Sequence, residues 1–226
     1  MDNSFYNFSA DPILISDPLI TQIPLQESNE ELVDLGDVSL FKIDSRLADK
    51  KGHHRLVRRG LAQRLCKAAD LLPKDICFLI IEGFRPLELQ KQYFEQYFTD
   101  LSKIHPNATQ QQLYILTSRY VSPPDQLPPH CSGAAIDLSL AYKDGPELDM
   151  GTPVNASPEQ SNNNCYTNSV NISHQAHLNR NLLCTTLEAV GLVNYPTEWW
   201  HWSYGDRYWS YKTKSQAAIY GAVKDL

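Results

Sequence analysis

Two short segments about sixty residues apart place the strongest constraint on how this chain can fold. The first, His130–Asp137, reads His-Cys-Ser-Gly-Ala-Ala-Ile-Asp, and the second, Glu198–His201, reads Glu-Trp-Trp-His. Together they supply two imidazoles and two carboxylates, which is the residue set of a catalytic zinc site. Three of these groups would bind the ion and leave a fourth position for water, whose proton the remaining carboxylate could accept. If the four side chains act together, the fold must bring both segments to one place.

Each of these residues also has a purely structural explanation. Alone, His130 would be a surface imidazole on a loop, and Asp137 an outward-facing residue on a half-exposed strand. The apolar run around Asp137 weighs against that, because a buried carboxylate is costly unless it is paired or binds a metal. Glu198 and His201 are three residues apart, so on a regular strand they would face opposite sides. Both could reach one metal only at a bend or a strand end, which the nearby Pro196 favours.

Two other residues are candidates for chemistry. Arg85 follows a short apolar run, Ile76–Ile81, that is typical of a buried strand, and it lies in the sequence Glu-Gly-Phe-Arg-Pro. Its guanidinium offers a fork of donors to a carboxylate or a developing oxyanion, although an arginine that caps a strand at the surface would look the same. Cys131, beside His130, raises the alternative of a Cys-His nucleophile. We rank it below zinc chemistry, because a thiol next to a base in sequence need not point at it.

The overall composition excludes some classes of partner. The chain has 226 residues, 42% of them hydrophobic, with a net charge of -6 and a sequence pI of about 5.6. This length fits one domain with a sizeable core. An acidic chain repels phosphate backbones, so we expect no nucleic acid partner. Five scattered cysteines without a CxxC pair, no basic signal-peptide start and no long apolar run predict a cytoplasmic protein without a membrane span.

The order of the predicted elements indicates an α+β fold. We place strands over 37–43, 76–81, 134–140 and 199–204, with a hairpin turn at 144–145. We place helices over 56–72, from 86 to about 98, over 109–120 and over 173–190, and a last one near the C-terminus. Residues 151–172 are predicted to form a long surface loop. We therefore expect a single domain over residues 22–226, with a small, mainly antiparallel sheet flanked by helices and a zinc cleft. Residues 1–21 are expected to form an extended N-terminal arm.

Four motifs, taken together, carry a family resemblance. They are Glu82-Gly-Phe-Arg85-Pro, His130-x-x-Gly-x-Ala-x-Asp137, Leu148-Asp-Met-Gly-Thr152 and Glu198-Trp-Trp-His201. In this order the chain resembles the VanX-type D-alanyl-D-alanine dipeptidases, within the wider family M15 of zinc D,D-peptidases that also includes D-Ala-D-Ala carboxypeptidases. The resemblance covers roughly residues 22–209. The His/Asp and Glu-Trp-Trp-His motifs are specific, whereas the Gly-Phe-Arg-Pro element alone would be weak.

The resemblance implies a role for each matching residue. His130, Asp137 and His201 match the three ligands of a single zinc ion, and Glu198 matches the general base. Arg85 matches the arginine that stabilises the tetrahedral intermediate. The implied activity is hydrolysis of the D-alanyl-D-alanine dipeptide to two D-alanines, in the turnover of peptidoglycan precursors or in glycopeptide resistance.

Departures from the family pattern keep two alternatives open. Pro128 stands where the dipeptidases carry a substrate-binding Ser, and Asn155 stands where an Asp pairs with the substrate ammonium. Asn155, Asp149 and Trp200 are our candidates for substrate binding, and Glu159 could supply the missing charge. A D,D-carboxypeptidase acting on peptidoglycan stem peptides is the enzymatic alternative. A non-catalytic zinc-containing module that binds cell wall is the other, but it would have no need of a general base such as Glu198.

Overall fold

A computed structural model describes residues 12–223, and seven strands and seven α-helices lie within that range. The strands are β1 (Leu32–Asp34), β2 (Lys42–Ile43), β3 (Leu56–Arg58), β4 (Ile76–Glu82), β5 (Ala135–Tyr142), β6 (Val193–Asn194) and β7 (His201–Ser203). The helices are α1 (Pro18–Thr21), α2 (Arg59–Ala69), α3 (Leu87–Ile104), α4 (Gln110–Ser118), α5 (Pro158–Ser161), α6 (His174–Glu188) and α7 (Arg207–Thr213).

The main sheet has five strands in the order β2-β4-β5-β7-β6. Only β2 and β4 pair in parallel, and the other three pairings are antiparallel. A separate two-stranded antiparallel ribbon joins β1 to β3. The prediction of an α+β domain with a small, mainly antiparallel sheet is therefore confirmed. The predicted hairpin turn at 144–145 is also confirmed, because the chain reverses after β5 and Glu147 forms an antiparallel bridge with Ala141.

The core lies between the central strands and two helices. Strand β4 is buried from Cys77 to Glu82, and β5 is buried along nearly its whole length. Helix α2 contributes Leu61 and Leu65, and α6 contributes Leu183 and Leu187, all completely buried. These leucines recur at helical spacing, so each helix buries one stripe against the sheet and leaves its polar face in water. None of the helices in the described range combines the length and apolar character needed to cross a bilayer.

Two predicted elements near the N-terminal end of the domain are wrong in part. Asp34 accepts a hydrogen bond from the Gly36 amide at 2.7 Å and caps a 3-10 turn, so the strand predicted over 37–43 is reduced to β2. This local cap competes with strand pairing. The helix predicted over 56–72 begins only at Arg59, because its first residues form β3 opposite β1.

The remaining differences lie in α3, in the loop after β5 and near the C-terminus. Helix α3 continues to Ile104, beyond the predicted end near residue 98. The stretch 151–172 contains the short helix α5 and the completely buried Cys165, so it is not simply a surface loop. Arg180 of α6 holds it by donating to the carbonyl oxygens of Asn164 and Tyr166 within the stretch and of Met150 just before it, at 2.7–2.9 Å. The predicted C-terminal helix is α7, and residues 214–223 are not helical.

The predicted N-terminal arm extends partly outside the described residues, since the structure begins at residue 12. Within 12–21 the chain is not extended throughout, because Asp17 caps α1 by accepting a hydrogen bond from the Leu19 amide at 2.8 Å. Ile20 of α1 is completely buried. The boundary between an arm and a domain at residue 21 stays a prediction.

Candidate metal centre

A row of three polar residues crosses the middle of the main sheet. Asp137 of β5 is paired directly with His201 of β7 on one side and with Glu82 of β4 on the other. Directly opposed residues of antiparallel strands point to the same face, so the three side chains lie on one side of the sheet. The pairing of Glu82 depends on a bulge, because a regular register from Ile80 onward would have put Ile81 opposite Asp137.

His130 reaches this row from a rigid turn that precedes β5. Pro129–Ser132 forms one turn of 3-10 helix, and Pro128 stands at its N-cap. Gly133 ends the turn with φ +67°, a left-handed conformation that glycine adopts without strain. A Cβ at Gly133 would lie 2.5 Å from Cδ2 of Leu32 on β1, so an added side chain would also have to displace the end of the leucine.

Glu198 lies in a turn immediately before β7. The Glu198 amide donates to the Tyr195 carbonyl at 3.0 Å, and the His201 amide donates to the Glu198 carbonyl at 3.2 Å. This bend at the entrance to the strand allows Glu198 and His201 to face the same cleft although they are three residues apart. Trp199, Trp200 and Trp202, which surround them in sequence, are completely buried.

The side chains of His130, Asp137 and His201 form a compact group that could hold a metal ion. His201 Nδ1 lies 3.1 Å from His130 Nε2 and 3.0 Å from Asp137 Oδ1, and the third separation is 3.3 Å. Ligand atoms this close can share one ion at bond lengths of about 2.0–2.2 Å. All three residues are buried, with exposed fractions of 5% or less.

In each imidazole one ring nitrogen faces Asp137, and the other nitrogens, Nδ1 of His130 and Nε2 of His201, differ in their surroundings. Nδ1 of His130 lies 2.7 Å from the Gly83 carbonyl oxygen and donates to it, which leaves Nε2 free to bind a metal. Gly83 is fixed in turn, since its amide donates to the His54 carbonyl at 2.7 Å. Nε2 of His201 is buried and has no hydrogen-bond partner within residues 12–223. Both rings therefore direct their inner nitrogen toward Asp137.

The charges in this group favour a bound cation. Burial alone would raise the pKa of Asp137, but the neighbouring imidazoles outweigh it and hold the pKa well below its usual range. Burial lowers the pKa of His201, so its imidazole is neutral and its nitrogen can act as a ligand. Burial, reinforced by the negative charge of Asp137, raises the pKa of Glu198 well above its usual value. Glu198 is thus a stronger base than an exposed glutamate.

Arg85 lies beside the group and is held by Glu82 and Gln90, to neither of which the sequence assigned a role. Its Nε donates to Oε1 of Glu82 at 2.8 Å, its Nη2 donates to Oε2 of Glu82, and its Nη1 donates to Oε1 of Gln90 at 2.8 Å. Burial opposes the charge of Arg85, but Glu82 outweighs it and raises the pKa. Three of the five N–H groups are engaged in this way, which leaves two without an acceptor in the described part of the chain.

The metal group and Arg85 open into one cleft of about 330 Å³. Glu198, Pro128 and Asn155 also line it, together with several tyrosines of α3 and the chain after α4. Asn155 adopts φ +64°, and its carbonyl oxygen accepts a hydrogen bond from the Tyr120 hydroxyl at 2.6 Å. The structure thus brings Asn155 to the cleft, and its contact with a substrate stays a prediction.

Three other residues considered for substrate binding lie elsewhere. Asp149 does not line the cleft, because its carboxylate accepts hydrogen bonds from the Gly151 amide and the Ser173 hydroxyl, both at 2.8 Å. Trp200 is completely buried and does not line the cleft. Its indole N–H lowers the pKa of Glu198 somewhat, but it makes no hydrogen bond within residues 12–223. Glu159 is exposed and accepts a hydrogen bond from the Tyr97 hydroxyl at 2.6 Å.

The Cys131 alternative receives no support from the structure. Cys131 is 4% exposed, and burial raises the pKa of its thiol to about 12. A nucleophilic cysteine needs a thiolate, which a raised pKa suppresses at neutral pH.

Comparisons with known proteins show the family of the chain. The family model described as D-Ala-D-Ala dipeptidase, peptidase M15, matches residues 43–218. A D-alanyl-D-alanine dipeptidase from Synechocystis is 28% identical over 237 aligned positions, which cover 89% of this chain and 95% of the relative.

Two solved structures are also similar in outline. One is a variant of the vancomycin-resistance D,D-pentapeptidase VanY in complex with Zn(II), at 14% identity and a TM-score of 0.47, covering 88% of this chain and 91% of that one. The other is VanYB in complex with D-alanine-D-alanine, at 14% identity and a TM-score of 0.46, covering 82% and 84%. The match to the family model extends over most of the chain and includes all four of His130, Asp137, Glu198 and His201. The chain therefore belongs to peptidase family M15, among the D-Ala-D-Ala dipeptidases.

Proposed function

We propose that the protein is a zinc-dependent dipeptidase that hydrolyses D-alanyl-D-alanine to two D-alanines. The observation that carries the proposal is the buried His130, Asp137 and His201 triad with Glu198 and Arg85 in the same cleft. Two imidazole nitrogens and one carboxylate are a donor set that suits zinc. A triad of three ligands also leaves a position open, as a catalytic site requires.

The protein side chains divide the work of hydrolysis. Zinc bound by the triad would polarise the peptide carbonyl and lower the pKa of a bound water. Glu198 accepts the proton of the attacking water and delivers it to the leaving amine, a role that its raised pKa favours. Arg85 directs its two remaining N–H groups at the oxyanion that develops on the carbonyl oxygen. Glu82 and Gln90 hold Arg85 in that orientation.

The choice of substrate rests on the family and on its Synechocystis relative, which is a D-alanyl-D-alanine dipeptidase. A cleft of about 330 Å³ has room for a small peptide. Hydrolysis of this dipeptide would place the enzyme in the turnover of peptidoglycan precursors. We expect one zinc ion per chain.

A D,D-carboxypeptidase that acts on stem peptides is a second candidate, and Asn155 is the observation that favours it. Asn155 lies in the cleft, where an amide accepts a hydrogen bond from an ammonium group but supplies no charge to pair with it. A free substrate N-terminus would then matter less. The comparison of free and N-acetylated substrates separates the two candidates.

A cytoplasmic location remains our prediction, and the cysteines support it. All five are free, and Cys77, Cys131 and Cys165 are buried. Free thiols are typical of proteins kept in a reducing compartment.

The roles of the site residues are tested by a pair of variants with different expected effects on zinc. Glu198→Gln should retain zinc and lose about 10²- to 10⁴-fold in kcat, because only the base is removed. His130→Ala should lose both zinc and turnover, because a ligand is missing. Metal content by atomic emission and D-alanine release are measured on each, with the exposed Glu188→Gln as the matched control. Full activity in zinc-loaded Glu198→Gln would refute the assignment of the base.

A further inference from the structure

The described part of the N-terminal segment, residues 12–23, is firmly attached to the domain. Ile15 and Ile20 pack in a small cluster with Tyr195 and Tyr208, apart from the main core. At its end, Arg207 of α7 donates to the Ile23 carbonyl at 3.1 Å. The chain that follows pairs with the C-terminal region, where the Gln26 amide donates to the Ala218 carbonyl at 2.8 Å. Contacts along its whole length therefore fix the position of this segment.

This segment reaches the candidate active site. Ile15 lines the same cleft as Arg85, Glu198 and His201. It also packs against the cluster of Tyr195, whose ring stands edge-on to that of His201 with centroids 6.0 Å apart. Ile15 is only 8% exposed, so its side chain is held between the tyrosines and the cleft. Residues 12–23 lie outside the stretch 43–218 that matches the family model, so the match says nothing about this side of the cleft.

We propose that Ile15 is a specificity-determining residue, whose side chain closes one side of the cleft and limits the size of the substrate side chain bound there. The inference rests on the proposed function and goes beyond it, since it assigns a role to the N-terminal segment. A branched aliphatic side chain beside the reacting groups offers an apolar contact to a methyl group and excludes larger groups. The preference for alanine is thereby built in part from residues that precede the family's catalytic region.

Opposite substitutions at Ile15 give the sharpest test. The kcat/KM values for D-Ala-D-Val and for D-Val-D-Ala are each divided by the value for D-Ala-D-Ala. In Ile15→Ala one of these ratios should rise by about tenfold, namely the ratio for the dipeptide whose valine side chain faces residue 15. In Ile15→Phe the same ratio should fall below that of the wild type. Leu19→Ala is the matched control, because Leu19 is 63% exposed in the same segment and does not line the cleft.

A second control separates a wall from general loosening of the segment. Ile20 is buried in the same cluster but does not line the cleft, so Ile20→Ala should weaken the packing without changing the ratio. Zinc content and the thermal midpoint are measured on every variant. The inference is overturned if Ile15→Ala leaves both ratios at the wild-type value, or if Ile20→Ala reproduces its effect.

Failure of the proposed function would show itself differently. If the zinc-loaded wild type hydrolyses none of the dipeptides, the substrate assignment fails and the role of Ile15 is tested by binding alone. The probes are then the hydroxamates of D-alanine and D-valine, whose dissociation constants are measured by calorimetry on zinc-loaded protein. Ile15→Ala should improve the binding of the D-valine compound relative to the D-alanine compound by about tenfold. Equal ratios in wild type and variant would contradict the proposal.

Discussion

In the mechanism that we propose, Arg85 is already oriented for the charge that develops on the substrate. A buried guanidinium needs a counter-charge, and Glu82, the last residue of β4, supplies it. Gln90 holds the third nitrogen and is itself fixed, because its Nε2 donates to the Ser122 carbonyl at 2.7 Å. A donor that is already oriented costs nothing to reorganise when the oxyanion forms.

Replacement of Glu82 by Gln should reduce kcat/KM by about 10- to 100-fold, because Arg85 loses its counter-charge and its orientation. If Glu82 acts through Arg85, the same replacement in an Arg85→Met background should cause no further loss. The four proteins are compared by steady-state kinetics, with zinc content as a check that the metal site is intact. An equal loss in both backgrounds would mean that Glu82 acts independently of Arg85.

Among single residues, the sequence was most informative for those that belong to specific motifs. His130, Asp137, Glu198 and His201 could be named from two segments, and the structure brings them together. Glu82 could not be recognised as the partner of Arg85, because its position depends on a bulge that no local pattern predicts. Asp149 and Trp200 do not line the cleft, and the sequence could not show this, because nearness to a motif does not say which way a side chain points.

Elements position the site through a few backbone features with strict steric demands. The register of β5 and β7 places Asp137 opposite His201, and the turn that ends at Gly133 delivers His130. The sequence predicted these strands because their apolar runs are unambiguous. It did not predict β1 and β3, since strands of three residues leave too short a pattern and depend on each other for pairing.

Substitution of Gly133 by Ala should destabilise the protein and weaken zinc binding. Its φ of +67° strains any other residue, and the added Cβ would meet Leu32 at 2.5 Å. Gly191 is the matched control, because it has φ +82° but nothing within 4 Å of an added Cβ. Gly191→Ala should cost about 1 kcal/mol of unfolding free energy and leave zinc affinity unchanged.

The Gly133→Ala variant should cost about 1 kcal/mol more than the control, because the Leu32 side chain must move to relieve the contact in addition to the backbone strain. Chemical denaturation and competition with a zinc chelator measure the two quantities. Equal stability and equal zinc affinity in both variants would show that the turn is not needed to place His130.

Helix α7 begins at a carboxylate that should make stability depend on pH. Asp206 accepts hydrogen bonds from the Trp209 amide at 2.6 Å and the Ser203 hydroxyl at 3.1 Å, but its other oxygen has no partner within residues 12–223. Burial raises the pKa of Asp206 to about 6. Because the folded pKa exceeds the unfolded one, this group's contribution to stability is complete below about pH 4 and is lost as the pH rises through about 6.

Asp206→Asn keeps a capping side chain but cannot ionise. Relative to the wild type, its unfolding free energy should therefore increase by on the order of 2–3 kcal/mol between about pH 4 and pH 7. Urea unfolding of both proteins over this pH range gives the difference in unfolding free energy. The effects of all other titrating groups are common to both proteins and cancel in this difference. A difference that stays constant with pH would contradict the assigned burial of charge.

At the scale of the whole molecule, the N-terminal part of the described chain packs against residues far along the sequence. The central strands belong to the main core, while Ile15 and Ile20 form a smaller cluster with Tyr195 and Tyr208, and Leu25 pairs with Ala218. The α+β class and the positions of the longer strands along the chain were predictable, because they follow from local periodicity. The contribution of residues 12–23 to the cleft was not, because it arises from contacts with residues about 180 positions away.

The central claim is that this cleft hydrolyses D-alanyl-D-alanine through the metal group. The most direct measurement is D-alanine release from free and from N-acetylated D-Ala-D-Ala, with and without a zinc chelator. We predict cleavage of the free dipeptide that stops with the chelator and returns when zinc is added, and little cleavage of the acetylated form. Equal cleavage of both forms would favour the carboxypeptidase. No D-alanine from either substrate, with zinc bound to the protein, would contradict the account.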